Sequence, residues 1–223
     1  MCLQSLSKLS QMTNAFLPAA KIAYWYFRLN GFLNIENFVV HPEPREQQSQ
    51  KTDADLFGVR FPYRRELDMK DDSPFEGKRT RPLFMIAEVT RGQCKLNGPW
   101  VNADRKNIDY ILSAIGAFPD DHEAIAADIY KHCVYPAPTD KAREREFQLI
   151  AAGMSADKQL QETYPQLLQL TLDSMLSFMY QRFGAYRSQK KDHSQWDDFG
   201  KTLWTESEHC KAEEFIEKIL RRV

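Results

Sequence analysis

Apolar and polar positions alternate in blocks along the first part of the chain. Residues 13–30 predict a helix, because Pro18 suits an early helical position and the Asn30-Gly31 pair provides a left-handed stop. Residues 32–40 alternate or run apolar, and this pattern predicts a first strand. The chain therefore opens with a helix that is followed by a strand.

Two more strands are predicted in the next fifty residues. The first, at residues 56–61, is a short apolar run that begins just after Asp53 and Asp55. The second, at residues 83–90, is the most apolar strand candidate and holds one acidic residue, Glu88. Because a run that is apolar on both faces belongs in the middle of a sheet, residues 83–90 are predicted to form a central strand.

Helical patterns dominate after the third strand. Residues 107–118 place their isoleucine and leucine side chains on one stripe, which is the spacing of a helix lying on a sheet. Residues 121–132 predict another helix, and residues 146–152, ended by Gly153, predict a fourth strand. This alternation of helices and strands indicates an α/β protein.

The pattern changes after Gly153. An apolar stripe with helical spacing covers residues 167–183, and residues 196–222 predict two further helices. We therefore predict two parts: an α/β core at residues 1–153, and an α-helical C-terminal extension at residues 154–223 that packs on the core.

Composition and charge are those of an ordinary globular protein. Of the 223 residues, 43% are hydrophobic and 27% are charged. The 30 basic and 31 acidic side chains leave a formal net charge of −1, so no overall field attracts nucleic acid or anionic lipid. Any contact with nucleic acid must therefore use a local basic patch.

Cysteine spacing and the N-terminal segment suggest where the protein works. The four cysteines form no C-x-x-C pair, which favours reduced thiols over a zinc site or a redox motif. Lys8, Lys21 and Arg28 interrupt the first thirty residues, so no apolar run there can serve as a signal core or span a bilayer. We expect a cytoplasmic protein with no membrane contact.

The acidic residues of the strands are the candidate chemistry. Glu88 stands in an apolar strand, where an unpaired charge costs free energy. Asp55 opens the neighbouring strand, and Asp53 lies on the same face because side chains alternate along a strand. Two carboxylates that meet across adjacent strands make a hard oxygen site for Mg²⁺ or Mn²⁺. The alternative is structural: Glu88 pairs with a core arginine, and Asp53 or Asp55 caps a turn.

This layout resembles the PD-(D/E)xK nuclease superfamily. The matching segments are Thr52–Arg60 (TDADLFGVR) and Met85–Thr90 (MIAEVT), within a core of about residues 14–152. The resemblance implies a restriction-endonuclease-like fold, in which a mixed central sheet is flanked by helices.

The resemblance also implies roles for individual residues. Asp55 and Glu88 would bind the divalent ion, with the backbone carbonyl of Val89 as a third ligand. The lysine that the superfamily carries two residues after the glutamate is replaced by Thr90. Lys95, in the following loop, is the expected substitute, and we assign Asp55, Glu88 and Lys95 as the catalytic residues.

A further substitute for the missing lysine is Lys51, which precedes the acidic pair. The function implied is a metal-dependent nuclease that hydrolyses phosphodiester bonds, with DNA as the expected substrate and bacterial, antiviral defence as the setting. A homodimer is compatible with such an enzyme. The alternative is a catalytically inactive nuclease-fold module that binds nucleic acid or a partner protein.

Overall fold

The structure is a computed structural model that describes residues 18–41, 51–64, 70–77, 80–118, 122–136, 144–190 and 196–223. The strands are β1 (Leu33–Val40), β2 (Thr52–Arg60), β3 (Leu83–Val89), β4 (Val134–Tyr135), β5 (Glu146–Gly153) and β6 (Leu168–Thr171). The helices are α1 (Ala19–Leu29), α2 (Gly98–Val101), α3 (Asn107–Ile115), α4 (His122–His132), α5 (Lys158–Thr163), α6 (Leu172–Ala185), α7 (Arg187–Lys190), α8 (Asp198–His209) and α9 (Ala212–Leu220). Short 3-10 turns lie at Ser73–Phe75 and Ala103–Arg105.

The strands form one mixed sheet of α/β type. Its order is β1-β2-β3-β5-β4, and β6 also pairs with β5. The β1–β2, β2–β3 and β4–β5 pairs are antiparallel, whereas β3–β5 and β5–β6 are parallel. The central position predicted for residues 83–90 is confirmed, since β3 lies between β2 and β5. A helix between two parallel strands, as α3 and α4 lie between β3 and β5, is the usual connection.

The first helix and strand are confirmed within the described residues. Helix α1 begins after Pro18 and ends at Leu29, and the side-chain amide of the following Asn30 donates to the carbonyl of Tyr26. Gly31 then takes a φ of +82°, the left-handed conformation that favours glycine. The predicted start of this helix, at residues 13–17, lies outside the described residues.

Strand β2 is longer than predicted. It begins at Thr52 instead of residue 56, so Asp53 and Asp55 lie inside the strand. The reason is tertiary: β1 pairs with this acidic segment, and Val39 stands opposite Asp53. Backbone pairing with a neighbouring strand does not require apolar side chains, and an apolar run therefore underestimates the strand.

The C-terminal part is not wholly helical, contrary to the prediction. Residues 168–171 form β6, which runs parallel to β5, and helix α6 begins only at Leu172. The segment L-Q-L-T fits either period over so short a run, so sequence spacing alone cannot separate strand from helix there. Strand β4 was also absent from the predicted elements. The helices predicted at the extreme C-terminus are confirmed as α8 and α9.

Helices cover both faces of the sheet. One face packs on α1, α6, α8 and α9, and the other packs on α3, α4 and the indole of Trp100. The helices of the C-terminal part thus share a core with the N-terminal helix, and the Trp25 and Trp196 rings stack with their centroids 5.1 Å apart. In the described part of the chain, none of the helices has the length and apolar character needed to cross a bilayer.

Candidate functional site

Asp55 and Glu88 come together where β2 and β3 separate. The last paired residues of these antiparallel strands are Leu56 and Ala87, so the next position places Asp55 opposite Glu88. Beyond this pair, a side chain of β2 replaces the backbone as hydrogen-bond acceptor: Oδ2 of Asp55 accepts a hydrogen bond of 2.8 Å from the N–H of Val89. The juxtaposition predicted from the sequence therefore has a geometric basis.

Glu88 is buried, with only 7% of its surface exposed, and each carboxylate oxygen has a donor. The side-chain amide of Asn97 donates to Oε1, and the indole N–H of Trp100 donates to Oε2 at 2.8 Å. Neither donor is an arginine. The alternative prediction, in which Glu88 pairs with a core arginine, is therefore not what these hydrogen bonds show. Trp100 is 2% exposed, in the turn that begins α2.

Burial raises the pKa of both carboxyls. The pKa of Glu88 is raised by burial and further by the charge of Asp55, against the lowering effects of the Trp100 and Asn97 hydrogen bonds and of Lys95. The pKa of Asp55 is raised by burial and by the charge of Asp53, against the Val89 hydrogen bond. Like charges held close in a buried place are typical of sites that bind a cation or protons.

The loop after β3 is fastened to the end of β5. The hydroxyl of Thr90 donates to the carbonyl of Gln93 at 2.9 Å, the N–H of Cys94 donates to the carbonyl of Ser155 at 2.7 Å, and the N–H of Met154 donates to the carbonyl of Gly92 at 2.6 Å. These bonds fix the path of the chain from the end of β3 towards Asn97. The loop that carries the donors to Glu88 is therefore held by the sheet.

Gly153 permits this close approach. A Cβ atom at Gly153 would lie 2.5 Å from the Gly92 carbonyl oxygen and 2.9 Å from the Cys94 nitrogen. Both distances are far below ordinary contact, and both atoms belong to the backbone. Only glycine therefore allows the end of β5 to lie against this loop.

The structure places Thr90 and the two candidate substitutes for the missing lysine, Lys95 and Lys51, in different surroundings. Thr90 uses its hydroxyl to close the turn after β3. Lys95 is exposed, and its charge lowers the pKa of Glu88, so it lies within electrostatic reach of the carboxyl. Lys51, just before β2, lies over the Tyr110 ring with its nitrogen 5.0 Å from the centroid.

The donor set fits a hard divalent cation. Asp55 and Glu88 supply carboxylate oxygens, and each Glu88 oxygen has a lone pair left after accepting one hydrogen bond. The N–H of Val89 points towards Asp55, and the carbonyl of a strand residue points to the same side as its N–H. Oxygen ligands of this kind suit Mg²⁺ or Mn²⁺. Among the described residues, no cluster of three or more His, Cys, Asp or Glu side chains has metal-binding geometry.

Sequence reasoning missed the residues that support Glu88. Asn97, Trp100 and Gly153 have no motif that connects them with position 88, and the Asn-Gly-Pro-Trp run indicates only a turn with a buried ring. An acid in an apolar strand predicts that donors exist, but it does not identify them.

Comparison of the chain with protein-family models, with curated proteins and with solved structures gives no match.

Proposed function

We propose that this protein is a metal-dependent nuclease of the PD-(D/E)xK type, which hydrolyses phosphodiester bonds in DNA. The single observation that supports the proposal is the opposition of Asp55 and Glu88 where β2 and β3 separate. A buried and a half-buried carboxylate with raised pKa values at one point of a sheet are costly for the fold, and a site for a cation accounts for that cost.

The residues divide the chemistry among them. Asp55 and Glu88 would hold the ion, with the Val89 carbonyl as a further oxygen ligand. The chemistry supplied there would be Lewis-acid polarisation of the phosphate and a lowered pKa of water. Lys95, on the exposed loop, supplies the positive charge that stabilises the developing charge of the phosphate. The turn closed by Thr90 places that loop beside the carboxylates.

DNA in preference to RNA, a cytoplasmic role in bacterial antiviral defence and a homodimeric enzyme are parts of the proposal that rest on the resemblance to the superfamily. The small net charge predicts that substrate binding uses local basic patches.

The test is cleavage of plasmid, linear and single-stranded DNA by the purified protein with Mg²⁺ or Mn²⁺. Asp55→Asn and Glu88→Gln should each abolish the metal-dependent cleavage, and Lys95→Ala should reduce it on the order of 100-fold or more. Asp198→Asn is the matched control, because this side chain is 84% exposed and lies on α8. Equal cleavage by the parent and both carboxylate variants would contradict the enzyme.

An inactive nuclease-fold module is the second candidate, and two observations favour it. Glu88 already has a donor on each oxygen, and Thr90 stands where the superfamily carries its lysine. Such a module would bind nucleic acid or a partner protein without cleaving it. Thr90→Lys separates the readings: increased cleavage indicates a weakened nuclease, and binding of DNA without cleavage by either protein indicates the module.

A further inference from the structure

We propose that Asn97 and Trp100 are positioning residues that orient the Glu88 carboxylate towards Asp55 for cation binding. This inference rests on the proposed function, because it assigns a role to the surroundings of the same metal site. It is carried by the two hydrogen bonds to Glu88, one on each oxygen.

Two donors on different oxygens fix the rotation of a carboxylate. One hydrogen bond would leave the group free to turn about its last side-chain bond, whereas two separate donors define the plane of the carboxylate. The Trp100 indole cannot itself move far, since it is 2% exposed and packs in the core with α3 and α4. The free lone pairs of Glu88 therefore point away from the two donors.

The chemical type of the donors favours a cation site over a structural ion pair. An indole N–H and a side-chain amide are neutral donors, so they satisfy the buried carboxylate without cancelling its charge. An arginine in the same place would neutralise Glu88 and repel a divalent ion. Glu88 thus accepts two hydrogen bonds from neutral donors, and neither of them places a positive charge where a cation would bind.

The donors are held by a rigid support. The backbone N–H of Trp100 donates to the backbone carbonyl of Asn97 at 2.9 Å and closes the turn that carries both side chains. The preceding loop is fastened to the end of β5 through the hydrogen bond from Cys94 to Ser155. Ligand residues that are held by hydrogen bonds from a rigid scaffold are the usual arrangement of metal sites.

The test is a Mg²⁺ and Mn²⁺ titration of the full chain, with affinity measured by calorimetry. Trp100→Phe removes the indole donor and keeps an aromatic ring, and Asn97→Ala removes the amide. Each should weaken binding about 10- to 100-fold, the usual effect of losing such a supporting contact. Asn102→Ala is the matched control, because Asn102 lies in the same region but caps the turn at Asp104 instead of contacting Glu88. Its affinity should not change.

A spectroscopic signature separates positioning from simple packing. The protein has four tryptophans, and the other three lie in the core on the opposite face of the sheet. Paramagnetic Mn²⁺ at the site should broaden the indole N–H signal of Trp100 before those of Trp25, Trp196 and Trp204. Trp100→Phe identifies that signal by its disappearance, and the melting temperature of each variant without metal reports its folding.

The outcomes distinguish the two proposals. If Asp55→Asn and Glu88→Gln abolish binding while folded Trp100→Phe and Asn97→Ala proteins keep the parent affinity, the positioning role is wrong and the metal site stands. If the parent binds neither ion, or if both carboxylate variants bind as well as the parent, the metal site is wrong and the positioning role fails with it. Selective broadening of Trp100 with weakened binding in both donor variants supports the positioning role.

Discussion

At the residue scale, the Asp55–Glu88 pair lowers the stability of the folded protein at neutral pH. Each carboxyl has its pKa raised, because burial and a neighbouring negative charge disfavour the ionised form. A group whose pKa is higher in the folded state than in the unfolded chain binds protons more tightly when folded. Folding therefore becomes more favourable as the pH falls from neutral through the raised pKa values.

Asp55→Asn should raise the melting temperature at neutral pH in the presence of a chelator. Asparagine removes the half-buried charge, and its side-chain oxygen still accepts a hydrogen bond from the Val89 N–H. The gain should shrink as the pH falls towards the ordinary pKa of an aspartate, since Asp55 in the parent becomes protonated there. Thermal melting across this range measures the difference, with Asp198→Asn as the exposed control. Equal melting temperatures of Asp55→Asn and the parent at neutral pH would show that the ionised Asp55 carboxylate does not destabilise the folded protein.

At the scale of elements, the contact between β5 and the loop after β3 determines how the site is built. Gly153 ends β5, and the loop approaches it so closely that no Cβ fits. The same loop leads to the Asn97 and Trp100 donors. A change at Gly153 should therefore reach Glu88 through the backbone, although Gly153 contacts neither carboxylate in the described hydrogen bonds.

Gly153→Ala should destabilise the fold by about 1–3 kcal/mol, the usual cost of forcing extra atoms into a packed place. It should also weaken Mg²⁺ binding, because the loop must shift to relieve contacts with the Gly92 and Cys94 backbone. Urea unfolding and calorimetry measure the two effects. Gly184→Ala, in α6, is the matched control: among the described residues, no atom outside the backbone of its own helix lies within 4 Å of the added Cβ, and alanine should be neutral or slightly stabilising there. Equal stability of both variants would contradict the tight contact.

At the scale of the whole molecule, the C-terminal part completes the core that the N-terminal part begins. Strand β6 extends the sheet beside β5, and α6 packs on α1 across one face. Met175, Met179 and Phe183 of α6 are fully buried there. A chain that ends at Gly153 would expose the apolar face of α1 and the edge of β5 to solvent.

Truncation after Gly153 should therefore give an insoluble product or one that lacks a cooperative melting transition. The expression yield, the soluble fraction and the thermal melt of the fragment measure this, with the full chain as the control. A soluble fragment that melts cooperatively would show that residues 1–153 fold as an independent unit.

Local sequence patterns predicted the elements whose signals are contained in their own residues. Helices α3 and α4 and strand β5 lie where spacing and end signals placed them, because an amphipathic stripe or an apolar run reflects the surface that the element must bury. Strand β6 and the first residues of β2 were missed. Their conformation depends on pairing with a strand distant in the chain, and their own side chains do not specify that pairing.

The candidate site likewise combines features that local sequence predicts with features that depend on distant contacts. The sequence by itself determined that Glu88 stands in a central strand and that Asp55 directly precedes the apolar run of another strand, because apolar runs and turn signals are local properties. Only the tertiary structure decided that the two carboxylates lie opposite each other, that Asn97 and Trp100 hold Glu88, and that Gly153 supports their loop. Strand register and the path of a loop arise from contacts between distant parts of the chain, whose combined free energy no single segment encodes.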